Sequence, residues 1–191
     1  MRRVLEDGVP LGTVLGDAGY GNETESRAGV SDLGLPYVLG VQSSTALWPS
    51  GQAPLPPLPR SGRGRPPTRM RRGPEHQLVS AKDLAMGLPA DAWRTVAWRE
   101  GSRTELVSRF AAVRVRPAHR DTTRAEPWPG EWLLVEWPEG EAEPTKHWLS
   151  TLPPATPLQE LLHTAQTHWR IERDYQELKQ EIGLGHYEGR G

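Results

Sequence analysis

The sequence predicts an α/β fold interrupted by a long, β-rich antiparallel insertion. Three observations carry that expectation. Residues 1–42 show a strand, helix, strand rhythm, short apolar segments without helical period recur from Thr95 to Thr151, and a well-capped amphipathic helix lies near the end.

Thr13-Val14-Leu15 reads as a short apolar strand running into Gly16-Asp17-Ala18-Gly19-Tyr20-Gly21, where three glycines in six residues signal a tight turn that exposes Asp17. Asn22, three residues before Glu25, resembles a capping box and opens a helix from about Glu23 to Leu33, which Gly34 and Pro36 stop. Tyr37-Val38-Leu39-Gly40-Val41 is too short for a helix and is bounded by Pro36 and Gln42, so it reads as a buried strand. Seven prolines between Pro49 and Pro67 read as an extended polyproline linker. Ser80, with Asp83 three residues on, opens a short helix over Lys82 to Met86. Strands follow at Thr95 to Trp98, Leu106 to Val115, Trp132 to Trp137 and His147 to Thr151, the last two joined by a hairpin loop from Pro138 to Pro144. Thr156, Pro157 and Gln159 form a helix start and Gly183 a stop. The helix between them, Pro157 to Ile182, carries a core stripe of Leu161, Thr164, His168, Ile171, Tyr175, Leu178 and Ile182, with Glu172 at its edge.

Composition excludes several classes of function. A net charge of -1 over 191 residues names no nucleic-acid or acidic partner by itself, and zero Cys removes disulfides, thiolate metal sites and cysteine nucleophiles. No apolar run reaches the roughly 18 residues of a membrane span, and no secretory leader opens the sequence, so a cytoplasmic protein without a membrane partner is expected. The near-neutral total averages over a basic stretch and an acidic one. Arg60, Arg63, Arg65, Arg69, Arg71 and Arg72 crowd thirteen residues without an acid, while Glu131 to Glu143 is acidic. The six His show no metal-ligand spacing.

Asp17 at a strand end and Glu172 on a long helix are candidates for one chemistry. Carboxylates held over a sheet can ligate two divalent cations that activate an attacking oxygen and stabilise a leaving one in phosphodiester chemistry, and Mg²⁺ suits such oxygen ligands. By spacing alone, Asp17 equally fits a turn-forming Asp, and Glu172 a solvated helix residue.

The residues also resemble a known family. Trp169-Arg170-Ile171-Glu172, followed by Lys179, resembles the third-carboxylate motif of bacterial insertion-sequence transposases of the DDE type: Tyr, two residues, Arg, three residues, Glu, six residues, Lys. Val14 to Gly21 resembles their second-Asp motif, and the run from Arg170 through Gly191 is more specific still. At the motif's Tyr and Arg positions this chain has Ala165 and His168.

The resemblance implies an RNase H-like fold, here partial, with the β-rich insertion between the second Asp and the Glu. It implies residues 1–42 as part of the core, 43–147 as Pro/Arg-rich linker and insertion, and 148–191 as closing strand and Glu helix. It implies DNA transposition by metal-dependent hydrolysis and strand transfer at insertion-sequence ends, with two Mg²⁺ ions, or Mn²⁺, at Asp17 and Glu172. The implied partners are transposon-end and target DNA, with a possible homodimer, and the implied place is the cytoplasm, nucleoid-associated on DNA. The family's first Asp precedes the second by several strands, and only Asp7, in a charged segment, precedes Asp17 here. A truncated, inactive fragment is therefore expected. Lys179, His168, Arg63, Arg65, Arg69, Arg71 and Arg72 are the candidate DNA contacts. For Lys179 an exposed helix lysine is an equal reading, and for the arginines a solvated linker is. The alternative function is a non-catalytic DNA-binding remnant using the Arg-rich insertion; an unrelated interaction protein would bind no DNA.

Overall fold

The computed structural model describes residues 12–59, 62, 67–100 and 104–167. Val14–Gly16 (β1) leads into Ala18–Asn22 (α1) and Thr24–Asp32 (α2), and Tyr37–Val41 (β2) returns parallel to β1. Ala46–Trp48 (β3), Val79–Ser80 (β4), Ala81–Met86 (α3), Arg94–Glu100 (β5), Thr104–Pro117 (β6), Glu131–Pro138 (β7) and Lys146–Ser150 (β8) follow. Residues 158–167 are helical (α4). Among the described residues the strands form one sheet, ordered β1-β2-β8-β7-β6-β3-β4, with β5 also on β6. Every pairing except β1 with β2 is antiparallel.

Helices cover both faces, which is why the central strands read as nearly continuous apolar runs. In β7, Leu133 and Val135 pack with α2 and α3, whereas Leu134 faces the other way with Val38, Phe110 and the α4 residues Leu161, Leu162 and Ala165. The result is an α/β layer whose sheet is mostly antiparallel. The strands expected within the insertion all form, and β8 pairs directly with β2, Val41 opposite His147, so they continue the same sheet.

Several local expectations hold. β2 spans the expected residues, Gly34 ends the helix region with φ 70°, and Ser80 caps α3 by accepting from the Asp83 amide at 3.0 Å.

Others are corrected. The glycine run after β1 forms the short helix α1, and Asn22 does not cap α2: its Oδ1 accepts from the Gln42 amide at 2.9 Å, tying α1 to β2, and the α2 cap position is Glu23, whose carboxylate accepts from the Ser26 hydroxyl at 3.0 Å and from no backbone amide of the helix. The Pro-rich stretch folds back as well, with Leu55 and Arg71 exchanging backbone hydrogen bonds at 2.8 Å while Pro54 and Met70 are buried. On α4 the buried stripe is Leu161, Leu162 and Ala165, and Thr164 sits at its edge, its hydroxyl bonding back to the Glu160 carbonyl. The rest of the expected stripe lies outside the described residues.

Candidate functional site

Asp17 leaves the carboxyl end of β1, where open α/β layers place ligands. Its Oδ1 accepts from the amides of Gly19 at 2.9 Å and Tyr20 at 3.3 Å, capping α1. Its Oδ2 makes no hydrogen bond to the described residues, so one carboxylate oxygen is fixed by the helix start and the other faces outward. The side chain is exposed.

The glycines of this segment serve close approach, since none of Gly16, Gly19 and Gly21 has a positive φ. A Cβ on Gly21 would overlap the Gly40 carbonyl oxygen, one on Gly16 would stand 2.9 Å from Leu39 Cδ2, and one on Gly40 3.0 Å from the Ala18 amide nitrogen. Stripped of side chains on both sides, α1 settles directly onto β2 and carries Asp17 with it.

A cavity of about 250 Å³ opens beside Asp17, lined by Gly40, Lys146, His147, Trp148 and Ala165. The sheet order supplies β8 and the packing of the opposite face supplies α4, so three separate segments meet at the Asp17 end of the sheet. Lys146 is steadied by an ion pair with the buried Glu136 at 3.2 Å, and Glu136 in turn accepts from the Ser108 hydroxyl at 2.9 Å. His147 is buried, and burial pulls its pKa down to about 4, with Glu143 opposing, so its imidazole is neutral near pH 7. Lys146 and His147 were not singled out by sequence reasoning; only their proximity to β2 in the sheet reveals them.

Of the other expected site residues, Glu172, His168, Lys179, Arg63 and Arg65 lie outside the described residues. Arg69 and Arg71 are exposed and away from the Asp17 cavity. Arg72 is held by an ion pair at 3.1 Å with Asp121, a side chain only 1% exposed that also accepts from Trp48 Nε1 at 2.9 Å. A structural partner thus occupies one of the candidate DNA contacts. Trp93 and Trp137 meet edge to face at 5.4 Å with the Arg109 guanidinium 4.3 Å from the Trp137 ring centre, so these tryptophans pack against side chains of the sheet.

As a metal ligand Asp17 has the right chemistry, an unengaged carboxylate oxygen at a cavity mouth, which suits a hard divalent cation. Among the described residues no group of three or more His, Asp or Glu side chains forms a complete metal site.

The family model described as DDE superfamily endonuclease matches residues 1–105, more than half of the chain. The chain belongs to this family. No curated protein and no solved structure matches it. For a DDE superfamily endonuclease the substrate is DNA, and enzymes of this superfamily generally use divalent metal ions. The mixed α/β architecture with a mostly antiparallel sheet is consistent with that fold. Among the described residues no helix is long and apolar enough to cross a membrane.

Proposed function

We propose that the chain is built for DDE-type transposition chemistry, metal-dependent phosphodiester hydrolysis and strand transfer at DNA ends, with Asp17 and Glu172 as two of its metal ligands. The observation that carries this reading is that Asp17 and Ala165 line one cavity. Glu172 is seven residues beyond Ala165, two helical turns, so a helix keeping its phase would present Glu172 on the face that Ala165 turns toward Asp17. Under this reading 1–42 and 148–191 are core and 43–147 the insertion, with Lys179 and His168 near the DNA backbone.

Bound Mg²⁺ ions would supply a nucleophilic oxygen near neutral pH and neutralise charge on the leaving one. The chain's own residues hold and orient. The α1 amides fix Asp17 through Oδ1 and leave Oδ2 for the cation. Lys146 brings positive charge to the cavity, where a phosphate oxygen gains from it. The buried His147 beside it is neutral near pH 7 and adds no second positive charge.

A two-ion site also needs the carboxylate that the family carries ahead of the second Asp, and the Asp that stands before Asp17 in this sequence, Asp7, is in a charged segment. The 191-residue chain by itself is therefore expected to show no Mg²⁺-dependent nicking of duplex DNA. Efficient nicking by the purified chain, lost in Glu172→Ala, would overturn that statement.

A further inference from the structure

A second cavity lies at the opposite end of the sheet from Asp17, between α2, the start of β2 and the segment entering β7. Its volume is about 320 Å³, at the lower end of the range of small-molecule sites. Arg27, Tyr37 and Glu131 line it, each 5% exposed or less, together with Arg124 and Trp128.

The chemistry of these walls is unusual for a core. Tyr37 lines the cavity beside Glu131 and Arg27, and Arg27 donates to the Gly21 carbonyl and to Thr24 Oγ1. Glu131 Oε2, in contrast, is buried and has no hydrogen-bond partner. Leaving an acceptor of this kind unmet is costly, and well-packed apolar side chains would fill such a space more stably. Burial pushes the Glu131 carboxyl up to about 7, so near neutral pH it is poised to ionise as soon as a donor arrives. On the outer wall the Arg124 guanidinium lies 3.6 Å from the Trp128 ring centre, and its Nε bonds the Glu126 carbonyl at 3.3 Å. Its Nη groups make no hydrogen bond to the described residues.

The lining therefore sets three requirements on an occupant. It must bring hydrogen-bond donors to Glu131, it must be flat enough to lie along the Trp128 and Arg124 planes, and it gains from carrying a negative group toward the Arg124 fork. A guanine edge has two adjacent N–H donors spaced for a carboxylate, whereas adenine offers one donor beside an acceptor. We propose that this cavity binds a guanine base carrying a phosphate, with Glu131 reading the base edge, Trp128 stacking on the ring and Arg124 meeting the phosphate. The site shares no lining residue with the Asp17 cavity and stands or falls independently of it.

The test is a titration of the 191-residue chain followed by Trp fluorescence and calorimetry, with 5′-GMP, 5′-AMP and two single-stranded oligonucleotides differing by one central guanine or adenine. Saturable GMP binding with AMP about tenfold weaker or more is expected, the ordinary discrimination of one two-pronged base contact. Glu131→Gln should lose about tenfold in GMP affinity and Trp128→Ala a similar factor. Tighter binding of the guanine oligonucleotide than of GMP would place the base within a DNA strand, and the reverse order would mark a free nucleotide as ligand. Equal binding of GMP and AMP, no saturable binding of any probe, or wild-type affinity in both variants would overturn the proposal. Should Glu131→Gln fail to fold, Trp128→Ala and Arg124→Ala, both on the outer wall, decide the matter on the same scale.

Discussion

Replacing Glu131 by Gln should reshape the pH dependence of folding in a calculable way. The carboxyl is 5% exposed, and burial is the largest cause of its raised pKa, about 7 in the folded chain against 4.5 ordinarily, while Tyr37, Arg27 and Arg114 pull the other way. A raised carboxyl favours the protonated form when folded. Its contribution to stability is fully present below pH 4.5 and is lost as pH rises to about 7. Over that window the loss is roughly 1.4 kcal/mol per pH unit, or about 3 kcal/mol in all. Gln is a permanently neutral analogue of nearly the same shape, so the variant lacks this loss while keeping every other titration. His147, pulled down to about 4, acts in the opposite sense and costs stability as pH falls below 6.5, which is why the two proteins must be compared at each pH. Urea unfolding followed by Trp fluorescence at pH 4.5, 5.5, 7 and 8 gives the difference curve. Wild type should lose about 3 kcal/mol relative to Glu131→Gln between pH 4.5 and pH 8, with the change complete just above 7. A flat difference curve, or one in which wild type gains with pH, would refute the burial argument.

Two further substitutions probe the packing. Gly21→Ala forces a Cβ into the Gly40 carbonyl and should cost about 1 to 3 kcal/mol by thermal melting, as overpacking does, while Gly29→Ala, whose Cβ meets nothing within 4 Å, should be neutral or slightly stabilising. Arg72→Ala removes the partner of the buried Asp121 and should lower stability, whereas Arg71→Ala should leave it nearly unchanged; if the exposed arginines meet DNA, a salt-dependent gel shift weakens with Arg69 and Arg71, and a stable Arg72→Ala chain with weakened DNA binding would reverse this assignment.

Much of the fold was legible locally. β2 is a five-residue apolar run between Pro36 and Gln42, and α3 is announced by Ser80 and Asp83, because strand boundaries and caps are written in adjacent residues. β3 and β4 were not, since two or three residues carry no period and their pairing depends on distant chain, Trp48 opposite Arg116. The glycine run was legible as a count but not as a cause: it reads as a turn, and only the neighbouring strand shows that it serves close packing of α1 on β2. At the site, Asp17 was visible from its place between a strand and glycines. Lys146 and His147 were not, because sheet order alone brings β8 beside β2. The unmet Glu131 and the pairing of Arg72 with Asp121 are likewise consequences of burial, which no local pattern encodes.

Divalent-metal binding at Asp17 tests the account most directly. Asn caps a helix about as well as Asp, so Asp17→Asn keeps the α1 cap and removes the charge. Mn²⁺ binding to the 191-residue chain, read by the paramagnetic resonance of the free ion, should be saturable in wild type and weakened about tenfold or more in both Asp17→Asn and Glu172→Gln. Identical Mn²⁺ binding by wild type and Asp17→Asn, with both folded, would contradict it.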